Sequence, residues 1–520
     1  MPTVRTLAPV LLAGALACAG GARASDASEA RLLRMVQRLD ARVSQLEQRN
    51  AELEKQLAAT RAASTAPLER RIGALEAEQT RIAQSLDTDT ISENEPELTA
   101  RVKAVEDDAL AMRKAASRID ALDGLAIDAS LTTVAQTAQG LPTGTLDGGG
   151  QLNYRADIGI TVPLEAIGNA EQKLYAQLRL GQGQGLNAAF TRLGAFASAP
   201  DAAAFRASGL NADDSAAILG QAWYQASIPL PVGGFKPNSR QSLELTLGKM
   251  DLFGFFDQNA VAGDESSQFL NSVFVHNPLL DAGGEVGTDA NGFQPGAIVS
   301  YLNQTHSAEP WRLSLGLFGT GRGADYSRFF TAPLLMVQAE RELRLGELAG
   351  HYRIYGWSTG QGLQLDGTPA RHNGWGISID QRINATDALF ARYGQVTKGQ
   401  LPFRRALTIG AEFGGARWNR GDDAFGIAAA WLPASGAYRA AGGSGCTFGD
   451  GNGDGLCDPG DPGFFAFLPS GAERVVEAYY RFRVAGQVHL SPDIQHIWNM
   501  GGNPGAKDVT VFGLRAQVHY

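Results

Sequence analysis

The sequence predicts an all-β transmembrane barrel of 16 antiparallel strands, preceded by an N-terminal α-helical coiled coil. Three observations lead there. Beyond about residue 123 the apolar residues alternate with period two, whereas before it they step by four and three. The third is the end of the chain, where Phe512, Leu514, Ala516 and Val518 alternate up to an aromatic terminus, Tyr520. Composition agrees: 63 glycines, only 19% charged residues and a formal net charge of −9, which offers nucleic acid no attraction.

The first element is a secretory leader, residues 1–24. Arg5 opens it, Leu7 to Ala19 form its apolar run, and Ala22-Arg23-Ala24 supplies the cleavage site. Cys18 lacks the leucine three positions upstream that a lipoprotein leader would carry. The mature chain then keeps Cys446 and Cys457, in a compartment that permits disulfides, and one local bridge is expected.

Residues 25–122 form a periplasmic stalk on this reading. Leu32, Val36, Leu39, Val43, Leu46, Asn50, Leu53 and Leu57 hold a heptad register, with Asn50 in a core position that fixes register. A second run follows Pro67, out of phase with the first, and a third begins after Pro96. Such heptads favour self-association over one helix folded back on a domain. A homo-oligomer, with a trimer favoured, is the expectation.

Residues 123–520 are the barrel. After the leader no stretch approaches the roughly 20 apolar residues of a membrane helix, but barrel strands never register that way. In "QLNYRADIGITVP" one face carries Leu152, Tyr154, Ala156, Ile158, Ile160 and Val162, and the other Asn153, Arg155, Asp157 and Thr161. A soluble sandwich would alternate similarly, and the aromatic last strand favours the membrane reading. Sixteen strands are expected, near 124–136, 151–163, 171–181, 220–230, 241–250, 295–302, 310–319, 335–345, 348–357, 373–383, 387–396, 405–414, 423–432, 475–484, 487–497 and 509–520. Short turns then fall at the end where the chain terminates, the periplasmic side. The long segments 182–219, 251–294 and 433–474 fall outside the cell.

The third external segment holds "DESSQFLNSVFVHNP" at 264–278, and the C-terminal part holds "YYRFRVAGQVHLSPDIQHIWNMGGNP" and "GLRAQVHY". With these motifs the chain resembles the carbohydrate-selective porins of Gram-negative outer membranes, over roughly residues 124–520. The resemblance implies passive diffusion of sugars through a sixteen-stranded barrel in the outer membrane, with the lipid bilayer and sugars in transit as partners. A coiled coil lies outside the basic family pattern. Comparable extensions reach towards peptidoglycan, although no wall-binding domain is recognisable here.

In general porins the third external loop narrows the lumen. Here it carries Asp264, Glu265, Asn271, His276, Asn277, Asp281 and Glu285. Parity turns Arg155, Arg179, Arg353, Arg392, Arg481, Arg483 and Arg515 inward, together with Tyr175, Tyr355 and Trp357. Arginine forks and carboxylates replace the hydration of sugar hydroxyls, while aromatic faces cover C–H patches. Taken singly, each of these residues reads rather as a wall residue that faces the water-filled lumen and forms salt bridges. The set as a whole, acidic loop against basic wall, reads as a constriction. An anion-selective porin, for phosphate or organic acids, is the alternative that the arginines leave open, and an outer-membrane-to-wall tether is another. No HExxH or G-x-S-x-G motif supports an enzyme, and the seven histidines are scattered. No cofactor is required.

One motif stands apart. "DGNGDGLCDPGD" spaces Asp450, Asn452, Asp454, the Leu456 carbonyl, Asp458 and Asp461 as oxygen ligands of a Ca2+ loop. Asp461 replaces the usual glutamate and reaches less far, so a weak site and an unliganded acidic turn both remain open.

Overall fold

The computed structural model describes Arg49 and residues 125–520, apart from 142–149, 192–197, 206–213, 232–238, 281–290, 320–328, 447–453, 459–460 and 462–463. The leader and, apart from Arg49, the expected stalk therefore lie outside the described residues. The chain divides into two compact units, Met1–Arg118 and Ile119–Tyr520, and the second carries the fold described below.

It is a closed barrel of sixteen strands, every neighbouring pair antiparallel. In chain order they are β1 (Ala126–Gln139), β2 (Gln151–Ile167), β3 (Ala170–Gln182), β4 (Ala216–Pro229) and β5 (Gln241–Asp251). Then come β6 (Phe293–Asn303), β7 (Trp311–Phe318), β8 (Leu334–Leu345), β9 (Leu348–Leu363), β10 (Pro369–Arg382) and β11 (Ala388–Lys398). The last are β12 (Arg405–Gly414), β13 (Ala424–Pro433), β14 (Ala472–Ala485), β15 (Val488–Trp498) and β16 (Val509–His519). Closure pairs β1 with β16, from Ser130 opposite His519 to Gln139 opposite Thr510. No barrel strand keeps a free edge, so every ladder group can be satisfied within hydrocarbon.

All sixteen expected strands are present. Several run longer than expected: β9 continues to Leu363, where 357 was expected. Beyond the apolar belt both faces meet water, so alternation no longer marks a strand. A two-stranded ribbon, Gly445–Cys446 with Phe464–Phe465, was not foreseen in the connection after β13.

Period two does the sorting. Leu152, Leu247, Leu315, Val337, Ile354, Ile409 and Leu514 are exposed on the outer wall, as lipid-facing side chains are. Outward aromatic pairs flank them, Tyr301–Trp311 near one rim and Trp375–Tyr393 nearer the other. At one rim the connections are short, as at 168–169, 346–347 and 486–487. At the other they are long, as at 183–215, 252–292 and 434–471.

Candidate functional site

The connection between β5 and β6 turns into the barrel rather than away from it. It begins with a 3-10 turn, Leu252–Gly254, capped by Asp251, whose carboxylate accepts from the Phe253 N–H at 2.9 Å. Asp257 follows at φ 53, fully buried. Its carboxylate accepts from the Tyr355 hydroxyl (2.8 Å) and the Asn277 backbone N–H (2.6 Å), and pairs with Arg392 at 3.2 Å. Arg392 also donates to the carbonyls of Phe274 (2.5 Å) and Asp257 (3.2 Å). One buried pair thus fastens both limbs of the loop to β9 and β11.

The opposite wall holds the middle of the loop. Glu477 on β14 accepts from the backbone N–H groups of Leu270 (2.6 Å) and Asn271 (2.9 Å). Arg515 on β16 donates to the carbonyls of Glu265 (3.0 Å) and Gln268 (2.7 Å), and Arg481 to that of Ser267 (3.0 Å). Asn271 caps the helical turn Ser272–Val275 and donates to Gln495 on β15 at 2.9 Å. Phe256, Phe269 and Phe274 pack the underside against Phe318, Phe390 and Tyr479. The connection after β3 joins them: Ala202 donates to the Leu270 carbonyl at 2.7 Å, and Pro200 accepts from both Gln136 and Gln495.

The residues singled out from the sequence are therefore distributed over several environments. Arg392 and Arg515 are only 1% exposed and grip the loop. Tyr355 and Trp357 lie buried beneath it, and Asn271 and Asn277 are buried within it. Asn277 donates to the Tyr355 hydroxyl at 2.9 Å. His276 stacks on Phe253, with centroids 3.8 Å apart. Asp264 is exposed and accepts from the hydroxyls of Ser266 and Ser267. Arg353 pairs with Glu340 and Asp380, and His351 shares Asp380. Arg481 pairs with Glu412, and Arg483 pairs with Asp422 at the short-turn rim.

Arg155, Arg179 and Glu265 do come together. Asp157 bridges Arg155 (2.8 Å) and Arg179 (2.6 Å), and Arg155 reaches across to Glu265 at 2.8 Å. Beside this network Tyr175 stacks on Trp223 at 4.9 Å, and Phe255 of the loop meets the indole edge-on at 5.7 Å. Lys173 lies 5.4 Å above the same indole. All four side-chain groups are partly exposed, unlike the loop's underside. Gly248 makes room directly across from Trp223: its φ is +142, and a Cβ there would lie 2.9 Å from that of Trp223.

Trp223 and Phe255 were not foreseen. For Trp223 the signal was misleading, because the β3–β4 register shifts between Gln177 and Leu178. Parity counted from the outward Leu219 puts Trp223 in lipid, and the extra residue at Gly220 returns it to the lumen. Phe255 sits on a connection, where alternation says nothing.

In the outer connection Cys446 and Cys457 are bridged, with Cα atoms 5.7 Å apart. Asp454 accepts from the Leu456 N–H at 2.8 Å, and the buried Asp461 from the Asp458 N–H at 3.0 Å. Asp450 and Asn452, like Asp281 and Glu285, lie outside the described residues.

Residues 149–520 match the model of the family described as carbohydrate-selective porin, OprB family. The high-pH structure of Pseudomonas putida OprB is similar at 18% identity and TM-score 0.56, covering 78% of this chain and 96% of that one. The low-pH structure of the same protein matches at 14% identity and TM-score 0.43, with the same coverage. No curated protein matches the chain.

Proposed function

The chain belongs to the OprB family of carbohydrate-selective porins, and from that premise we propose where and how sugars cross it. As a member it is a sugar-conducting porin of the bacterial outer membrane, a channel rather than an enzyme. The passage runs between the inturned loop and the β3–β4 wall. There the Tyr175–Trp223 stack and Phe255 offer faces to sugar C–H patches, and the network of buried Arg155 and Arg179 meets hydroxyls through the partly exposed carboxylates of Asp157 and Glu265. The single observation that carries this reading is a partly exposed aromatic stack standing beside a charge-compensated polar network. Such a site binds weakly enough to release what it admits. Glucose-dependent conductance of the purified protein in planar bilayers, compared with Trp223→Ala, tests it. Unchanged glucose interaction in the variant would overturn the proposed path.

An anion-selective pore is disfavoured by the pairing. Arg155, Arg179, Arg353, Arg392 and Arg481 each have a carboxylate partner, so these five arginines do not present bare positive charge. A reversal potential under a KCl gradient distinguishes the two, with weak ion preference expected.

The remaining expectations complete the proposal. Residues 25–122 self-associate as a periplasmic coiled coil, with a trimer favoured and a reach towards peptidoglycan. The Cys446–Cys457 bridge stiffens the outer connection, and Ca2+ at extracellular, millimolar levels adds to it through the 450–461 ligand set. Calorimetric titration of Ca2+ into the protein and into Asp454→Asn measures that site directly.

A further inference from the structure

A hollow of about 540 Å³ opens at the short-turn rim of the lumen, against the inner faces of β2 to β6. That volume lies within the range of small-molecule sites, about 300–1,000 Å³. Its lining is mixed: Pro163, Pro229 and Leu302 are apolar, while Gln225, Ser227, Ser242 and Gln304 bring amides and hydroxyls. Register sets this up. Lys173 lies opposite Gln225, Gln225 opposite Thr246, and Ser227 opposite Glu244, so inward side chains of three strands stand side by side.

We propose that this hollow is a second subsite for neutral sugars, a hexose or its disaccharide, on the exit side of the constriction. The proposal rests on the sugar-porin reading. Three features single the hollow out from plain vestibule wall. Gln225 donates to the Thr246 hydroxyl at 3.0 Å, which orients its amide and leaves the carbonyl oxygen for a sugar hydroxyl. Glu244 is fixed by Arg312 at 3.0 Å. Lys173 forms no ion pair among the described residues and stands between the hollow and the Trp223 indole. Its three ammonium donors can pass a hydroxyl from one site to the next.

Charge also favours a neutral ligand. The carboxylates of Glu171 and Glu244 balance the cations of Lys173 and Arg312, so the hollow carries no net attraction for an anion. Prolines and a leucine, together with amides and hydroxyls in one lining, supply what the apolar face and hydroxyl rim of a pyranose require.

Single-channel recording of the full chain tests this, with glucose and maltose as probes. Two relaxation components are expected in the sugar-induced current noise. Gln225→Ala combined with Ser242→Ala should lower the occupancy behind one component at least fivefold while the other persists. Trp223→Ala should have the reciprocal effect. A single component in the wild type, abolished by Trp223→Ala and untouched by the double variant, would overturn the second site and leave the porin reading standing. Absence of any sugar-induced noise would overturn both. A component produced by phosphate in place of sugar would overturn the assigned ligand class.

Discussion

At the scale of the residue, the lumen holds two kinds of inward side chain. Arg392 and Asp257 are sealed from water, and their worth lies in holding the loop rather than in meeting solute. Removing one partner of such a buried pair leaves the other uncompensated, at a cost of about 3–5 kcal/mol. Asp257→Ala should therefore lower the thermal stability of the barrel in detergent and enlarge its conductance, whereas replacing both partners by apolar residues should cost less. Trp223 is different, being partly exposed, stacked on Tyr175 and met edge-on by Phe255, with Lys173 over the same indole. Losing its face should weaken glucose binding by about 1 kcal/mol, or roughly fivefold, with little change in melting temperature. Current noise and calorimetry together separate the two residue types.

A further residue-scale prediction concerns pH. Asp423 sits at the short-turn rim, where burial would raise its carboxyl, but Arg420, the Tyr480 hydroxyl and the Arg483 N–H together push it down to about 2. A carboxyl depressed on folding binds protons more readily when unfolded. Its stabilisation is therefore full above the ordinary carboxylate value of about 4 and is lost as pH falls towards 2. Asp423→Asn should flatten the pH dependence of unfolding between about pH 4 and 2. An unaltered slope would remove Asp423 from that role.

Among the elements, the inturned loop matters most. It is gripped from both sides: β9 and β11 hold its ends, and β14 to β16 hold its middle. Glu477 accepts two loop N–H groups at once, which a neutral amide cannot do with both oxygens. Glu477→Gln should loosen the loop, seen as broadened open-channel current levels and faster amide exchange at Leu270 and Asn271. Its motif, "DESSQFLNSVFVHNP", was legible as a unit, and so was its place in the third long connection. Its inner contacts were not, because hydrogen bonds to backbone carbonyls leave no trace in residue type. Hence the arginines were found by parity, while the distinction between Arg392, which grips the loop, and Arg155, which bridges wall to loop, was beyond reach.

Over the whole molecule, the barrel closes on itself through β1 and β16. All sixteen of its strands lie between Ala126 and His519, and residues 26–120 lie upstream of them in the chain. Deleting them should leave single-channel conductance unchanged while altering the oligomeric state measured by light scattering. A loss of channels would make the stalk part of the pore's assembly. What the sequence by itself determined is the sixteen strands, their inward and outward faces, and the short-turn and long-connection rims. These follow from a period-two pattern imposed by two solvents, lipid and water, acting locally on each strand. Tertiary structure alone decided which inward residues still face water. A bulge at β4 returned Trp223 to the lumen, and a loop from β5–β6 covered Tyr355, Trp357 and Arg392. Both outcomes depend on contacts between residues distant in the chain, and no local period records them.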